Sequence, residues 1–117
     1  MQEYLAAIAI FLAIDSIWLL TGGIYARQLV ERIQGRPLNA RFLSAGIVYL
    51  AMAYLVLKAD SAWEAFGQGL ATYAVYDFTT HALLTNYDWR FALADTIWGG
   101  ILFALTFIAL KSFGYKN

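Results

Sequence analysis

Four ionisable side chains interrupt otherwise apolar stretches of the sequence: Asp15, Asp77, His81 and Asp95. A carboxylate at the centre of a lipid bilayer costs about 2.5–3.5 kcal/mol even on lenient insertion scales. No Lys or Arg lies in these stretches to pair with the acids. We therefore expect the acids to face one another or a wet cavity, and to be protonated, paired with His81 or neutralised by a bound cation. Each option implies proton or cation chemistry.

Further polar side chains surround Asp77 at helical spacing. Tyr73, Asp77 and His81 are four residues apart, which places them on one face of a helix, with Tyr76 and Thr80 on an adjacent strip. Phenol, hydroxyl, carboxylate and imidazole groups can together form a chain of hydrogen bonds. The competing interpretation is structural, because single polar residues in membrane helices often only hold neighbouring helices together.

An Asp-x-x-Trp motif occurs twice, at residues 15–18 and 95–98, and a glycine pair follows each copy, at 22–23 and 99–100. Each Trp lies one turn beyond its Asp, so its indole N–H can reach a polar partner inside. The glycines allow close helix approach or leave room for a ligand. An inverted repeat and simple convergence on one site both explain the pattern. The predicted substrate- or ion-binding residues are Asp15, Trp18, Tyr73, Tyr76, Asp77, Thr79, Thr80, His81, Asp95, Trp98 and Gly99.

Composition indicates which elements must position these residues. The chain has 117 residues, of which 62% are hydrophobic and 14% charged, whereas a soluble domain carries about 25% charged residues. Apolar stretches at 4–26, 42–57, 65–87 and 91–110 each approach the length that spans a bilayer. The sequence therefore predicts an all-α fold: a single transmembrane domain over residues 1–117, built as an antiparallel bundle of four membrane helices with short loops.

The connections suggest an orientation in the cell membrane. Residues 27–33 have apolar positions at helical spacing, so the first connection is either a helix on the membrane surface or a solvated loop. Four antiparallel spans place both termini on one side with three lysines, and five arginines on the other. Basic residues favour the cytoplasm, so this multi-pass topology puts the termini on the non-cytoplasmic side.

Several classes of chemistry have no support in the sequence. The absence of Cys excludes disulfides, thiolate metal sites and cysteine nucleophiles. No phosphate-binding glycine loop, zinc-protease pair or nucleophile elbow is present. A net charge of zero gives no reason to expect nucleic acid as a partner. The sequence assigns no catalytic residue, no metal ligand and no cofactor, and the expected partners are the lipid bilayer and further copies or a larger membrane complex.

The ordered motifs resemble a known family. Asp-x-x-Trp-Leu in the first segment, Tyr73-Ala-Val-Tyr-Asp77-Phe-Thr in the third and Asp95-x-x-Trp-Gly99 in the fourth are similar to the small bacterial membrane family catalogued as domain of unknown function 2177. In the third segment the family pattern has Asn where Thr80 stands here. The resemblance implies a multi-span membrane protein with no settled reaction. It implies one site made of Asp15, Trp18, Tyr76, Asp77, Thr79, Asp95, Trp98 and Gly99.

Three functions fit these residues. The first is a small, oligomeric transporter whose buried acids exchange a proton or cation as a small molecule passes. The second is a membrane enzyme acting on a lipid or isoprenoid-like substrate, with Asp77 and His81 as an acid–base pair. The third is an accessory subunit whose polar column binds a lipid, a pigment or a partner helix.

Overall fold

The computed structural model describes residues 1–34, 42–84 and 87–116, without the side chains of Gly23, Val30 and Phe42. These residues form five helices and contain no strand, which confirms the all-α class. The helices are α1 (Gln2–Leu20), α2 (Gly22–Gln34), α3 (Phe42–Lys58), α4 (Ala62–Leu83) and α5 (Trp89–Ser112).

A break at Thr21 divides the first predicted span. The backbone of Thr21 leaves helical geometry at φ −115° and ψ −83°. Its hydroxyl donates to the carbonyl oxygen of Ile17 at 2.8 Å, which satisfies one of the free carbonyls at the helix end. As a result α1 ends at Leu20 rather than at Ala26, and the following residues belong to α2.

Helix α2 is amphipathic and packs on the beginning of α5. Its Leu29 is buried against Tyr87 and Ala92, whereas Arg27 and Arg32 are exposed. The sequence predicts that this connection is a helix on the membrane surface or a solvated loop. The structure contains a helix as far as Gln34, and its position at the membrane surface stays a prediction. Residues 35–41 of this connection lie outside the described residues.

Close backbone contact joins α4 to α5. A methyl group added to Gly69 would overlap the carbonyl group of Gly99 and approach the Cα of Gly100 to 2.9 Å. A methyl group on Gly99 would overlap the ring of Tyr73. Glycine is required at these positions because no side chain fits between the two helices.

Helix α1 packs antiparallel to α5 along the other side. Asp15 contacts Trp98, Trp18 contacts Asp95, and nearer the termini the rings of Phe11 and Phe103 lie 5.0 Å apart. The buried apolar core is built mainly from α1, α3 and α5. It comprises Ala7, Phe11, Met52, Ala53, Val56, Ala59, Ala65, Leu102, Phe103, Phe107 and Leu110.

The outer faces of the helices are apolar as well. On α5 an exposed row formed by Leu93, Ile97, Ile101, Leu105 and Ile108 lies opposite its polar and glycine positions. A soluble bundle would place charged residues on such a face. Within the described ranges, α1 and α5 are long and apolar enough to cross a membrane, and α3 is apolar but shorter.

The connection between α4 and α5 is tied to α2 by a carboxylate. Asp88 accepts a hydrogen bond from the backbone N–H of Arg90 at 2.9 Å, which caps α5, and a second from the hydroxyl of Tyr25 at 2.6 Å. The Tyr25 hydrogen bond is the main reason that the pKa of Asp88 lies below its ordinary value of 3.8.

Acid is therefore expected to loosen α2 from the start of α5. Because the pKa of Asp88 is lower in the folded protein than in the unfolded chain, its stabilising contribution is complete above the ordinary value and disappears as the pH falls through the folded value. Hydrogen exchange of α2 amides at neutral pH and at a pH well below 3.8 measures the effect, once each rate is divided by the intrinsic exchange rate at that pH. We expect lower protection factors in acid for the wild type and a smaller change for Tyr25→Phe; α2 protection factors that do not respond to acid would contradict the assignment.

Candidate functional site

The two Asp-x-x-Trp motifs meet and bind each other reciprocally. The indole Nε1–H of Trp18 donates to Oδ1 of Asp95 at 2.9 Å, and that of Trp98 donates to Oδ1 of Asp15 at 2.9 Å. The two indole rings stack, with centroids 5.6 Å apart and planes inclined by 15°. Each Trp lies one turn after its own Asp, so in antiparallel helices it comes level with the Asp of the other motif. The two copies of the motif therefore form what we call the crossed pair, in which the Trp of each copy binds the Asp of the other.

Helix α3 supplies a further donor to this pair. The hydroxyl of Tyr49 donates to Oδ2 of Asp15 at 2.6 Å. Both carboxylate oxygens of Asp15, which is only 5% exposed, therefore have a donor. Sequence reasoning missed Tyr49; the available signal was a phenol in the middle of an apolar segment, where its hydroxyl needs a partner.

Asp77 has a different environment. It is fully buried, and neither carboxylate oxygen has a hydrogen-bond donor among the described residues. The nearby hydroxyl of Thr96 donates to the carbonyl oxygen of Ala92 at 2.8 Å, so its proton is already used. The carboxyl group of Asp95 lies near that of Asp77, and both acids line the same cavity. Since an ionised carboxylate only accepts, the two acids can bond to each other only if one holds a proton.

The buried part of the described structure holds no positive charge to balance these acids. Its polar members are Asp15, Asp77, Asp95, Thr96 and Thr106. A buried carboxylate without a counter-charge is expensive, so the group takes up a proton or a cation instead. We refer to Asp15, Asp77 and Asp95 below as the acidic centre.

A cavity of about 440 Å³ reaches all three acids. It is bounded by Trp18 and Tyr73 beside the acids and by Arg27 of α2. Its volume falls within the range of about 300–1,000 Å³ that is common for small-molecule sites. The acidic centre therefore borders a space that could hold water, an ion or part of a small ligand.

The other predicted site residues of α4 lie at different distances from the acids. The ring of Tyr73 packs against Gly99 and lines the cavity. Tyr76 also lines it, although this residue is 70% exposed. Thr80 donates its hydroxyl back to the carbonyl oxygen of Tyr76 at 2.8 Å, and Thr79 is exposed. The structure thus brings the tyrosines to the site but not the two threonines.

His81 is also not brought to the acids. It is exposed and contacts the edge of the Phe78 ring, and Asp77 makes no hydrogen bond to it. The carboxylate–imidazole pair expected from the spacing is therefore not formed. In the described ranges, no three His, Asp or Glu side chains are grouped as metal ligands.

The two tryptophan hydrogen bonds of the crossed pair are expected to contribute unequally to stability. Trp18→Phe removes the indole donor to Asp95 and should destabilise the protein by about 1.5–3 kcal/mol, the usual range for a hydrogen bond to a charged group. Trp98→Phe should cost less, because Asp15 keeps the hydroxyl of Tyr49. Chemical unfolding in detergent measures the loss of unfolding free energy in both variants, and Trp63→Phe, at an exposed position, is the control. Equal effects in all three variants would mean that the crossed hydrogen bonds do not stabilise the fold.

Helices with apolar outer faces around a buried acidic centre define a helical membrane protein. The sequence profile of the family described as "Predicted membrane protein (DUF2177)" matches residues 1–110. The chain belongs to this family, as the resemblance of its motifs implied. No curated protein and no solved structure is significantly similar to it.

Proposed function

We propose that the protein is a small multi-pass carrier, in which the acidic centre exchanges a proton or cation as a small molecule crosses the membrane. The observation that carries this proposal is Asp77, a fully buried carboxyl group with no donor beside a second acid, Asp95. Such a pair needs one proton or cation, and exchange of that partner is the elementary step of a coupled carrier.

A purely structural role explains the acidic centre less well. Apolar residues of similar volume generally stabilise a buried site as well as, or better than, an ionisable group. Asp15 is satisfied by Trp98 and Tyr49, but Asp77 contributes no bond to any described donor. A buried acid that borders a cavity and has no donor is better explained by a function than by stability.

The proposed membrane arrangement has four spans, namely α1, α3, α4 and α5, with α2 on the surface and both termini on the non-cytoplasmic side. Helix α4 has 22 residues, enough for a bilayer, and directs Asp77 inward. Helix α3, with 17 residues, is shorter. Because so few helices can scarcely enclose a pathway, we expect two copies to act together.

Flux in proteoliposomes tests the proposal. Purified protein is reconstituted with an entrapped pH-sensitive dye, a pH gradient is imposed, and inorganic cations, organic cations, organic anions and neutral solutes are added in turn. We expect at least one class to drive proton movement in wild-type vesicles, and Asp77→Asn vesicles to behave like protein-free ones. Traces that are the same for the wild type and Asp77→Asn with every class would overturn the proposal.

A further inference from the structure

A second cavity lies between α3 and α4 and differs from the first in character. Its volume is about 500 Å³, and its walls are almost entirely apolar. Among the residues that the structure describes, Asp95 is the only charged one that lines it. Its walls include Val48, Ala51 and Met52 of α3 and Thr72, Tyr73 and Tyr76 of α4, and we call this space the α3–α4 groove.

The groove and the acidic cavity converge on the same residues. Tyr73, Tyr76 and Asp95 line both spaces. The groove therefore leads from the apolar outer side of α3, where Val48 is 53% exposed, to the acid that lies beside Asp77. A molecule in the groove would have an apolar body against Val48 and its polar end at Asp95.

We infer that the α3–α4 groove binds a lipophilic organic cation, which displaces the proton shared by Asp77 and Asp95. This inference rests on the proposed function and names its substrate class. The apolar walls suit a hydrocarbon or aromatic body, and the carboxyl at their inner end suits a single positive charge. When the cation arrives, one carboxylic O–H loses its proton to water, and the carboxylate that remains balances the cation.

Anions and neutral molecules fit the α3–α4 groove less well than a cation does. An anion in the groove would meet Asp95 and, behind it, Asp77 and Asp15. Arg27 also borders the acidic cavity, but its guanidinium is exposed and paired with Glu31 at 3.1 Å, so it offsets the acids only weakly. A neutral apolar molecule would fill the walls but leave the acids as they are, so its binding would be independent of pH. Charge complementarity therefore selects the cation.

Two probes of the same shape and opposite charge test this directly. Tetraphenylphosphonium and tetraphenylborate differ mainly in the sign of their charge, and binding of each to the detergent-solubilised protein is followed by calorimetry. Repeating the titration in buffers with different ionisation enthalpies counts the protons released. We expect the phosphonium to bind with release of one proton, the borate to bind at least about tenfold more weakly, and Asp77→Asn to release no proton.

Paired variants on adjacent positions of α3 locate the binding site. Ala51 lines the groove, whereas Leu50 is exposed on α3 but does not line it. Ala51→Phe should therefore weaken phosphonium binding by about tenfold or more, and Leu50→Phe should leave it unchanged, since only the first adds volume inside the groove. Equal affinities for the two variants would place the probe elsewhere and overturn the inference.

A carbodiimide separates failure of this inference from failure of the proposed function. Dicyclohexylcarbodiimide is neutral, enters apolar sites and reacts with protonated carboxyl groups, so it reports the proton independently of any cation. If phosphonium does not bind, or borate binds equally well, while the carbodiimide still modifies Asp77 at neutral pH, the substrate class is wrong and the proton site remains. If neither reagent reacts or binds, both proposals fall.

Discussion

Asp77→Asn is expected to stabilise the folded protein while removing its transport activity. The amide has the shape of the carboxyl group, and its N–H₂ can donate to Asp95, which Asp77 can do only when it holds a proton. The variant thus resembles the protonated state permanently. Since a buried unsatisfied polar group costs about 1–3 kcal/mol, the gain in unfolding free energy should reach that order at alkaline pH, where the wild type loses the shared proton, and be smaller at neutral pH. Chemical unfolding in detergent and flux in vesicles measure the two effects.

Thr106→Val provides the matched control. Thr106 is fully buried on α5, and its hydroxyl oxygen has no hydrogen-bond partner among the described residues. Valine has nearly the same shape, so the variant should also be stabilised, by about 1 kcal/mol, but with transport intact. An Asp77→Asn protein that is less stable than the wild type and still transports would show that Asp77 has a structural role instead.

Gly69→Ala is expected to cause the largest loss of stability. The added methyl group would overlap the carbonyl of Gly99, which is backbone and cannot rotate away, so α4 and α5 must separate. Overpacking typically costs about 1–3 kcal/mol, and a collision with backbone should reach the upper end. Thermal unfolding in detergent, together with fluorescence of the stacked pair Trp18 and Trp98, measures the loss and its effect on the site.

Gly67→Ala is the control on the same helix. Gly67 is exposed, and a methyl group there meets nothing within 4 Å. Because alanine favours helix by about 1 kcal/mol over glycine, Gly67→Ala should be neutral or stabilising. If both variants lose the same stability, the close approach of the helices at Gly69 is not what holds α4 to α5.

The acids could be recognised from the sequence because ionisable residues in apolar segments are so costly. Asp15, Asp77 and Asp95 are all buried, and the Asp-x-x-Trp repeat identified both partners of the crossed pair. Spacing along each helix could not give their pairing, however. The structure places Asp95 beside Asp77 and joins Asp15 to α3 through Tyr49. Pairing depends on how helices cross, and spacing within one helix contains no such information.

His81 illustrates the same limit. Four residues along a helix correspond to about 6 Å of rise and a rotation of about 40°, so His81 and Asp77 share a face only approximately. Asp77 points toward α5, but the last turn of α4 is exposed, and His81 is exposed with it. The spacing of four residues is sufficient to predict that His81 pairs with Asp77. Whether the last turn of α4 is buried depends on how the helices pack, and the spacing does not contain that information.

The break at Thr21 was hidden by a continuous apolar pattern. The sequence predicts the same role for the glycine pairs at 22–23 and 99–100, either close helix approach or room for a ligand. Gly99 and Gly100 do pack against α4, whereas Gly22 lies at the start of α2, beside the ring of Trp18. The two glycine pairs therefore have different roles. The pair at 99–100 lies inside α5, whereas the pair at 22–23 lies at the beginning of α2.

The measurement that tests the central claim most directly is infrared difference spectroscopy of the protein in lipid during a pH titration. If Asp77 and Asp95 share an exchangeable proton, the wild type at neutral pH shows the C=O stretch of a buried carboxylic acid. That band should disappear at alkaline pH and be missing from Asp77→Asn. Wild-type and Asp77→Asn spectra that coincide throughout the titration, with no such band in either, would contradict the account.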